Sequence, residues 1–422
     1  MSTSRSDGAP LALRFGCDPV HFVMPRGSSP TPRRAAPPDA QTLRKRIVIM
    51  GIGQMGLVCA GILAPPSPPA ATLVSAPASR RKAGKPDAAA IPAGPEIILW
   101  GHDIDEVGEL TQTRQSSRLQ GFTLPDSVRV THDLKKAMSE GGDGHGASLV
   151  VSAIPVQFTR DVWKRLRPAP ASRGGGTSLP DAAAVVSVAK GIENNTLLRP
   201  TQVIADALGD DPDGPPRPIG TLSGPTIASE LARGLPATMI AASDWPGYAH
   251  ELQRVFSTSY LRVYTNEDVL GVELAGAMKN VIAIAAGILD GLQAGYNAKS
   301  ALLARGLAEI TRLGTAMGAS TDTFFGLAGV GDLATTCFSP EGRNRSCGEA
   351  LGRGVKPDDY LKSAKSVVEG VATTKSVMDL ARKYRVEMPI TEQVHAVLFE
   401  GLDPIDAIAR LMSRELTSEK VG

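Results

Sequence analysis

Apolar residues in the first 265 positions fall into short unbroken runs, whereas later ones recur with a helical period. The early runs are Ile47–Met50, Glu96–Trp100, Ser148–Ile154, Ala183–Ala189 and Gly220–Ser223. Continuous runs of this length, bounded by Gly or Pro, fit strands buried on both faces of a parallel sheet. Helical character lies between them, first in Leu57–Leu63, which stops at Pro65-Pro66. Strands alternating with helices predict a doubly wound parallel sheet with helices on both faces. After about Thr265 strand signals nearly vanish. Helical spacing dominates in Val269–Leu292, Ala298–Met317, Ser346–Leu351, Gly370–Tyr384, Thr391–Glu400 and Pro404–Arg414. The expectation is an α/β N-terminal domain over 45–264 and an all-α C-terminal domain over 265–416, with the boundary near 262–268.

Polar, Pro-rich stretches interrupt this plan. Residues 1–44 repeat Pro, Arg, Ser and Ala without periodicity and read as a disordered extension. A Pro-, Ala- and Ser-rich insert occupies about 64–95, and loops rich in Gly or Pro span 168–180 and 209–218. The N-terminus has no continuous apolar segment of the secretory kind. Its acid-poor, Arg- and Ser-containing composition suits organelle import as well as a plain tail, and cytoplasmic residence is the expected location.

Composition narrows the functional classes. With 45 Lys and Arg against 43 Asp and Glu, the net charge of +2 gives no basic field for nucleic acid. Aromatics are only 4% of residues, too few for base-stacking platforms. Cys17, Cys59, Cys337 and Cys347 form no Cys-x-x-Cys pair and no metal-ligand spacing, so reduced thiols and no metal are expected. The most apolar long stretch, Gly271–Leu292, contains Glu273, Lys279, Asn280 and Asp290. A lysine at mid-span is costly in a bilayer, so this reads as a buried helix and no membrane span.

One apolar run leads straight into Gly51-Ile52-Gly53-Gln54-Met55-Gly56. Gly-x-Gly-x-x-Gly is weak alone, but a strand before it and a helix after it mark a Rossmann dinucleotide turn. The helix N-terminus would offer N–H groups and a positive dipole end to the pyrophosphate. An acid for the ribose is expected about 20 residues on. Asp103 lies much farther along, and removing the Pro-rich insert restores the spacing. Asp103 would favour a free 2′-hydroxyl, whereas His102 and nearby Arg residues would accept a 2′-phosphate, so NAD or NADP stays open.

Reduction of a ketone by a nicotinamide needs a proton donor and positive charge near the developing alkoxide. Lys279, mid-run on an apolar helix, is a candidate because burial depresses a lysine pKa; snorkelling to the surface is the bland alternative. Lys190 follows a strand at its carboxyl end, where ligands of open sheets bind, though an exposed loop lysine is as common. Asp332 could pair with a lysine or simply cap a helix, with Thr336 on the same face four residues on. Arg343 and Asn344 sit in a Gly/Arg/Asn turn, the arginine fork being suited to phosphate. Arg345 reads as a solvated basic residue. Cys337 reads as a small neighbour with no catalytic role.

Ordered segments from about 46 to 415 resemble the NAD(P)-dependent glycerol-3-phosphate dehydrogenase family, bacterial and plastid type. They include Leu99-Trp100-Gly101-His102-Asp103, Ala189-Lys190-Gly191, the string Ser223 to Glu230 and the string Gly276 to Ala283. They continue with Gly329 to Leu333, Thr336-Cys337, Arg343-Asn344-Arg345 and Val367 to Gly370. The departures are the extension and the inserts. The resemblance implies reversible reduction of dihydroxyacetone phosphate to sn-glycerol 3-phosphate, a glycerophospholipid precursor, with Lys279 as proton donor and acceptor. It implies substrate contacts from Lys190, Gly224, Thr226, Lys279, Asn280, Asp332, Thr336, Arg343 and Asn344. It implies cofactor contacts from Gly51, Gly53, Gln54, Met55, Gly56, His102, Asp103, Lys190, Ala228, Arg343, Val367 and Glu369. The alternatives are a related two-domain reductase of another small oxo-acid, such as ketopantoate, or a non-catalytic dinucleotide sensor. Homodimer assembly is left open.

Overall fold

The computed structural model describes residues 36–64, 94–139, 146–167, 179–180, 183–209, 217–364, 366–416 and 418–419. Most of the expected disordered extension, the body of the Pro-rich insert and the centres of both long loops lie outside these residues.

Eight strands form one sheet. They are β1 (Arg46–Met50), β2 (Glu96–Trp100), β3 (Val128–Thr131), β4 (Leu149–Ser152), β5 (Ala184–Ser187), β6 (Ile219–Ser223), β7 (Ala237–Ala242) and β8 (Leu261–Asn266). The order is β3-β2-β1-β4-β5-β6-β7-β8. The β1 strand pairs in parallel with β2 on one side, Ile47 opposite Ile97, and with β4 on the other, Ile47 opposite Leu149. The chain therefore reverses its winding at β1, and the crevice outside the carboxyl ends of β1 and β4 is the ligand position of such sheets. One pair departs from the all-parallel expectation: β6 and β7 run antiparallel.

Sequence periodicity missed three strands, the two edge strands for a common reason. The edge strands β3 and β8 have one exposed face, and Leu261-Arg262-Val263-Tyr264 alternates buried and exposed positions. Continuous apolar runs identify only the central, doubly covered strands. The third, β7, begins half-exposed before its buried residues.

Around the sheet run α1 (Ala40–Leu43), α2 (Gln54–Leu63), α3 (Ile104–Thr113), α4 (Leu134–Met138), α5 (Val156–Lys164), α6 (Pro200–Leu208), α7 (Ala228–Ala232) and α8 (Tyr248–Phe256). The short α1 turn lies inside the region expected to be disordered. Asp39 caps it and Leu43 is buried against the sheet half, which orders that end of the extension.

The helical half begins with α9 (Val269–Gly291) and α10 (Gly295–Ala316). Then come α11 (Thr321–Phe325), a π-helical turn at Leu327–Gly331, α12 (Asp332–Phe338), α13 (Arg343–Gly352) and α14 (Pro357–Ser363). The chain closes with α15 (Glu369–Tyr384), α16 (Pro389–Phe399) and α17 (Pro404–Met412). By length and composition α9 could cross a membrane, but 94% of its most apolar window is buried within the protein. It packs most closely on α13. A Cβ on Gly348 would strike the Ile284 carbonyl oxygen, and one on Gly287 would strike that of Arg345. Two backbones in contact fix the first half of α13 beside the C-terminal part of α9.

A buried ionic joint ties the halves together. Glu273 on α9 accepts from Thr201 N (2.9 Å), Thr201 Oγ1 (2.7 Å) and Arg199 Nη1 (2.5 Å) at the start of α6. Burial raises the Glu273 carboxyl pKa, opposed by Arg199.

Candidate active site

The glycine turn has the shape its sequence implies. Gly51 adopts φ +115°, and a Cβ there would come within 2.7 Å of the Ala153 carbonyl oxygen on the neighbouring strand. A Cβ on Gly56 would collide with the Gly51 carbonyl, so α2 can lie this close to β1 only as glycine. At Gly53 a Cβ would meet nothing within 4 Å: this glycine faces open space at the sheet's switch point. Helix α2 starts at Gln54 without a side-chain cap. An open groove over an uncapped helix N-terminus fits a pyrophosphate. Gln54 itself is bound on both sides, donating to Arg118 O (2.9 Å) and accepting from Arg343 Nη1 (2.7 Å). Met55 is half-buried beside it. At the end of β2, His102 is exposed and Asp103 caps α3.

Near the carboxyl ends of β5 and β6 stand two lysines on one carboxylate. Lys279, 6% exposed, donates to Asp332 Oδ1 (2.7 Å) and to Thr336 Oγ1. Lys190 reaches the other oxygen, Oδ2, at 2.5 Å, and the Gly224 carbonyl at 3.2 Å. Thr336 donates its own hydroxyl proton to the Asp332 carbonyl oxygen (2.8 Å), which leaves a lone pair for Lys279. Burial lowers the Lys279 pKa to about 8; Asp332 pulls it up and Lys190 pushes it down. Lys279 does not snorkel.

Asp332, 1% exposed, is not a helix cap. The π-helical turn runs without a break into α12, and Asp332 continues the helix with φ −72°. Single π turns cluster at functional sites because they re-aim a side chain within a helix. Here the turn presents Asp332 to both lysines and Thr336 one helical turn later. A buried lysine and a partly buried one thus share a single buried carboxylate.

The remaining candidates lie on α9 and α13 and on or just before α7 and α15. Asn280, 3% exposed, leaves its Nδ2 donor without a partner among the described residues, next to Lys279. Arg343 and Asn344 do not lie in a turn; they open α13 behind Gly342. Asn344 accepts from Gly370 N at 2.9 Å, which pins α15 to α13. Glu369 beside it has its carboxyl pKa raised by burial, against the pull of Arg343, Lys190 and Lys279. Val367 is exposed, Thr226 bonds the Gly224 carbonyl at 3.2 Å, and Ala228 opens α7. The structure thus gathers Lys190, Gly224, Thr226, Lys279, Asp332 and Thr336 into one cluster, while Arg343 rests on the glycine turn.

Arg345 is not solvated. Its side chain is 14% exposed and pairs with Asp290 (2.6 Å) and Glu349 (3.2 Å). Burial pushes the Cys337 thiol up to about 12, which removes it as a nucleophile at neutral pH. Cys59, Cys337 and Cys347 are free and buried; Cys17 lies outside the described residues. Sequence reasoning missed Gly276: a Cβ there would crowd Ser223 Oγ at 2.9 Å and the Lys190 stem at 3.6 Å. Glycine inside an otherwise strong helix was the available signal.

Comparisons with known proteins identify the family. Residues 46–249 match the family model for the NAD-dependent glycerol-3-phosphate dehydrogenase N-terminus, and 268–409 match that for its C-terminus. A Salinibacter ruber glycerol-3-phosphate dehydrogenase [NAD(P)+] is 45% identical over 328 residues, covering 78% of this chain and 91% of the relative. One from Mycobacterium tuberculosis is 43% identical, covering 78% and 92%. The solved glycerol-3-phosphate dehydrogenase of Coxiella burnetii superposes with a TM-score of 0.74 at 31% identity, over 88% of this chain and 100% of that one. By two matched domains and these relatives, the chain belongs to the NAD(P)-dependent glycerol-3-phosphate dehydrogenase family.

Proposed function

We propose that the chain reduces dihydroxyacetone phosphate reversibly to sn-glycerol 3-phosphate, using NAD(P)H held on the glycine turn. The observation that carries this is the Lys279–Asp332–Lys190 cluster, buried at Lys279 and Asp332, with Arg343 bonded to Gln54 of the glycine turn. The bound dinucleotide supplies or takes up hydride at the substrate carbon.

The chain's own residues do the rest. Lys279 in its ammonium form donates a proton to the oxygen that develops negative charge, and its amine takes the proton back in the oxidative direction. Asp332 holds Lys279 in place and charged enough to donate. Lys190 adds positive charge near the same oxygen in a site shielded from water. The Asn280 Nδ2 donor, unpartnered and buried, is supplied with an acceptor when a hydroxyl or carbonyl oxygen sits against Lys279. Arg343 and the N-terminus of α13 offer the phosphate a guanidinium fork and a positive dipole end. Glycerophospholipid precursor supply and cytoplasmic residence belong to the same reading, and the burial of α9 supports a soluble protein.

The test follows oxidation of NADH and NADPH on addition of dihydroxyacetone phosphate. Lys279→Ala should cut kcat by about 10²–10⁴-fold, the range for loss of a general acid, with dinucleotide binding retained. Unchanged turnover in that variant would end the assignment.

A further inference from the structure

We infer that Glu106 sets cofactor preference: by holding Arg118 it suits the ribose end of the groove to NAD(H) and disfavours the 2′-phosphate of NADP(H). The inference rests on the glycine groove holding a dinucleotide.

Parallel pairing of β1 and β2, with Met50 opposite Trp100, sets the loop after β2 beside the glycine turn. The adenosine ribose of a dinucleotide lies against that loop. A second segment, the strap that follows α3, comes to the same place. Gln54 of the glycine turn donates to Arg118 O at 2.9 Å, and Phe122 packs on α2 where Gly61 leaves room.

Three features there would attract a 2′-phosphate, and two are already neutralised. The first turn of α3 is covered by Asp103, whose Oδ1 accepts from Asp105 N (2.9 Å) and Glu106 N (3.0 Å). Those bonds lower the Asp103 carboxyl pKa, the one to Glu106 N most, and leave Oδ2 to accept a ribose hydroxyl. The Arg118 guanidinium is held by both Glu106 oxygens, Nη2 on Oε1 and Nε on Oε2. That is the fork a phosphate would otherwise use. The third, His102, is exposed and adds positive charge only when protonated. The other arginine of the strap, Arg114, is tied to the carbonyls of Leu124 and Val128.

Glu106 and Asp103 therefore stand around one guanidinium at the ribose end. A dianionic 2′-phosphate must compete with Glu106 for Arg118 and sit among carboxylates. A 2′-hydroxyl meets neither cost. Selectivity of this kind arises from the repulsive element as much as from the attractive one.

The test is calorimetric titration of the full chain with NADH and with NADPH, alongside turnover of dihydroxyacetone phosphate with each. The unaltered protein should bind NADH more tightly by about tenfold. Glu106→Gln, which keeps the shape and frees Arg118, should tighten NADPH by about tenfold and change NADH by less than about twofold. Adding Arg118→Ala should reverse that gain. Equal or tighter NADPH binding by the unaltered chain, or an unmoved ratio in Glu106→Gln, overturns the inference while NADH-dependent turnover leaves the proposed function standing. Binding of neither dinucleotide sinks both.

Discussion

At the scale of single residues, the proposed site is two lysines sharing one buried carboxylate. Burial alone would leave Lys279 largely neutral, and Asp332 alone would leave it a strong ammonium; the balance sets its pKa at about 8. The sign of the pH dependence follows. Reduction needs the ammonium, so its kcat should fall as pH rises through about 8; oxidation needs the amine and should rise through the same pH. Opposite limbs in the two directions are the expected result of pH–rate profiles, and two limbs of one sign would exclude Lys279 as the shared proton carrier. Asp332→Asn removes the pull that raises the Lys279 pKa, so the reductive limb should move to lower pH. It should also destabilise the fold by about 3–5 kcal/mol, the usual cost of unpaired buried charge. Lys279 was legible in the sequence because a charge inside an apolar run is costly and so conspicuous. Arg345 was not, since its partner Asp290 sits 55 positions earlier on α9 and only packing brings the two together.

Elements carry a different kind of information. Central strands and long helices announced themselves by period, whereas β3 and β8 alternate like edge strands and the π turn before α12 has no periodic signature. Capping between elements was equally silent. Glu309 on α10, 2% exposed, caps α16 by accepting from Ile390 N (2.5 Å) and Thr391 N (3.2 Å). Burial pushes its carboxyl up from 4.5 to about 7, against the pull of those bonds. An acid whose folded pKa is raised is protonated in the folded chain between these values and ionised in the unfolded one. Stability then falls as pH rises through that window, by up to roughly 3 kcal/mol, and levels off above it. Urea unfolding across the window should show this decline in the unaltered protein and a shallower one in Glu309→Gln. Matching slopes would mean the cap titrates alike in both states.

For the whole molecule, the halves must hold Lys190, which comes from the sheet, against Lys279 and Asp332, which come from helices. That a mostly parallel sheet would be followed by a helical region was readable from the change of hydrophobic period. The joint was not, because Arg199 and Glu273 are 74 residues apart and neither belongs to a motif. Their pair, buried at Glu273 and joined by Thr201, fixes the start of α6 on α9 about one and two-thirds helical turns before Lys279. Arg199→Ala strands the buried Glu273 carboxylate and should lower stability by about 3 kcal/mol; Glu273→Ala leaves the partly buried Arg199 unpaired and should cost less, with the double variant losing less than the two singles added. A loosened joint should also misplace Lys279 relative to Lys190, since small displacements of reacting groups are costly in rate. The dinucleotide groove lies mainly on the sheet half, so kcat should drop while NADH affinity measured by titration holds. If NADH affinity fell and kcat held, the joint would serve the groove and not the register of the two lysines.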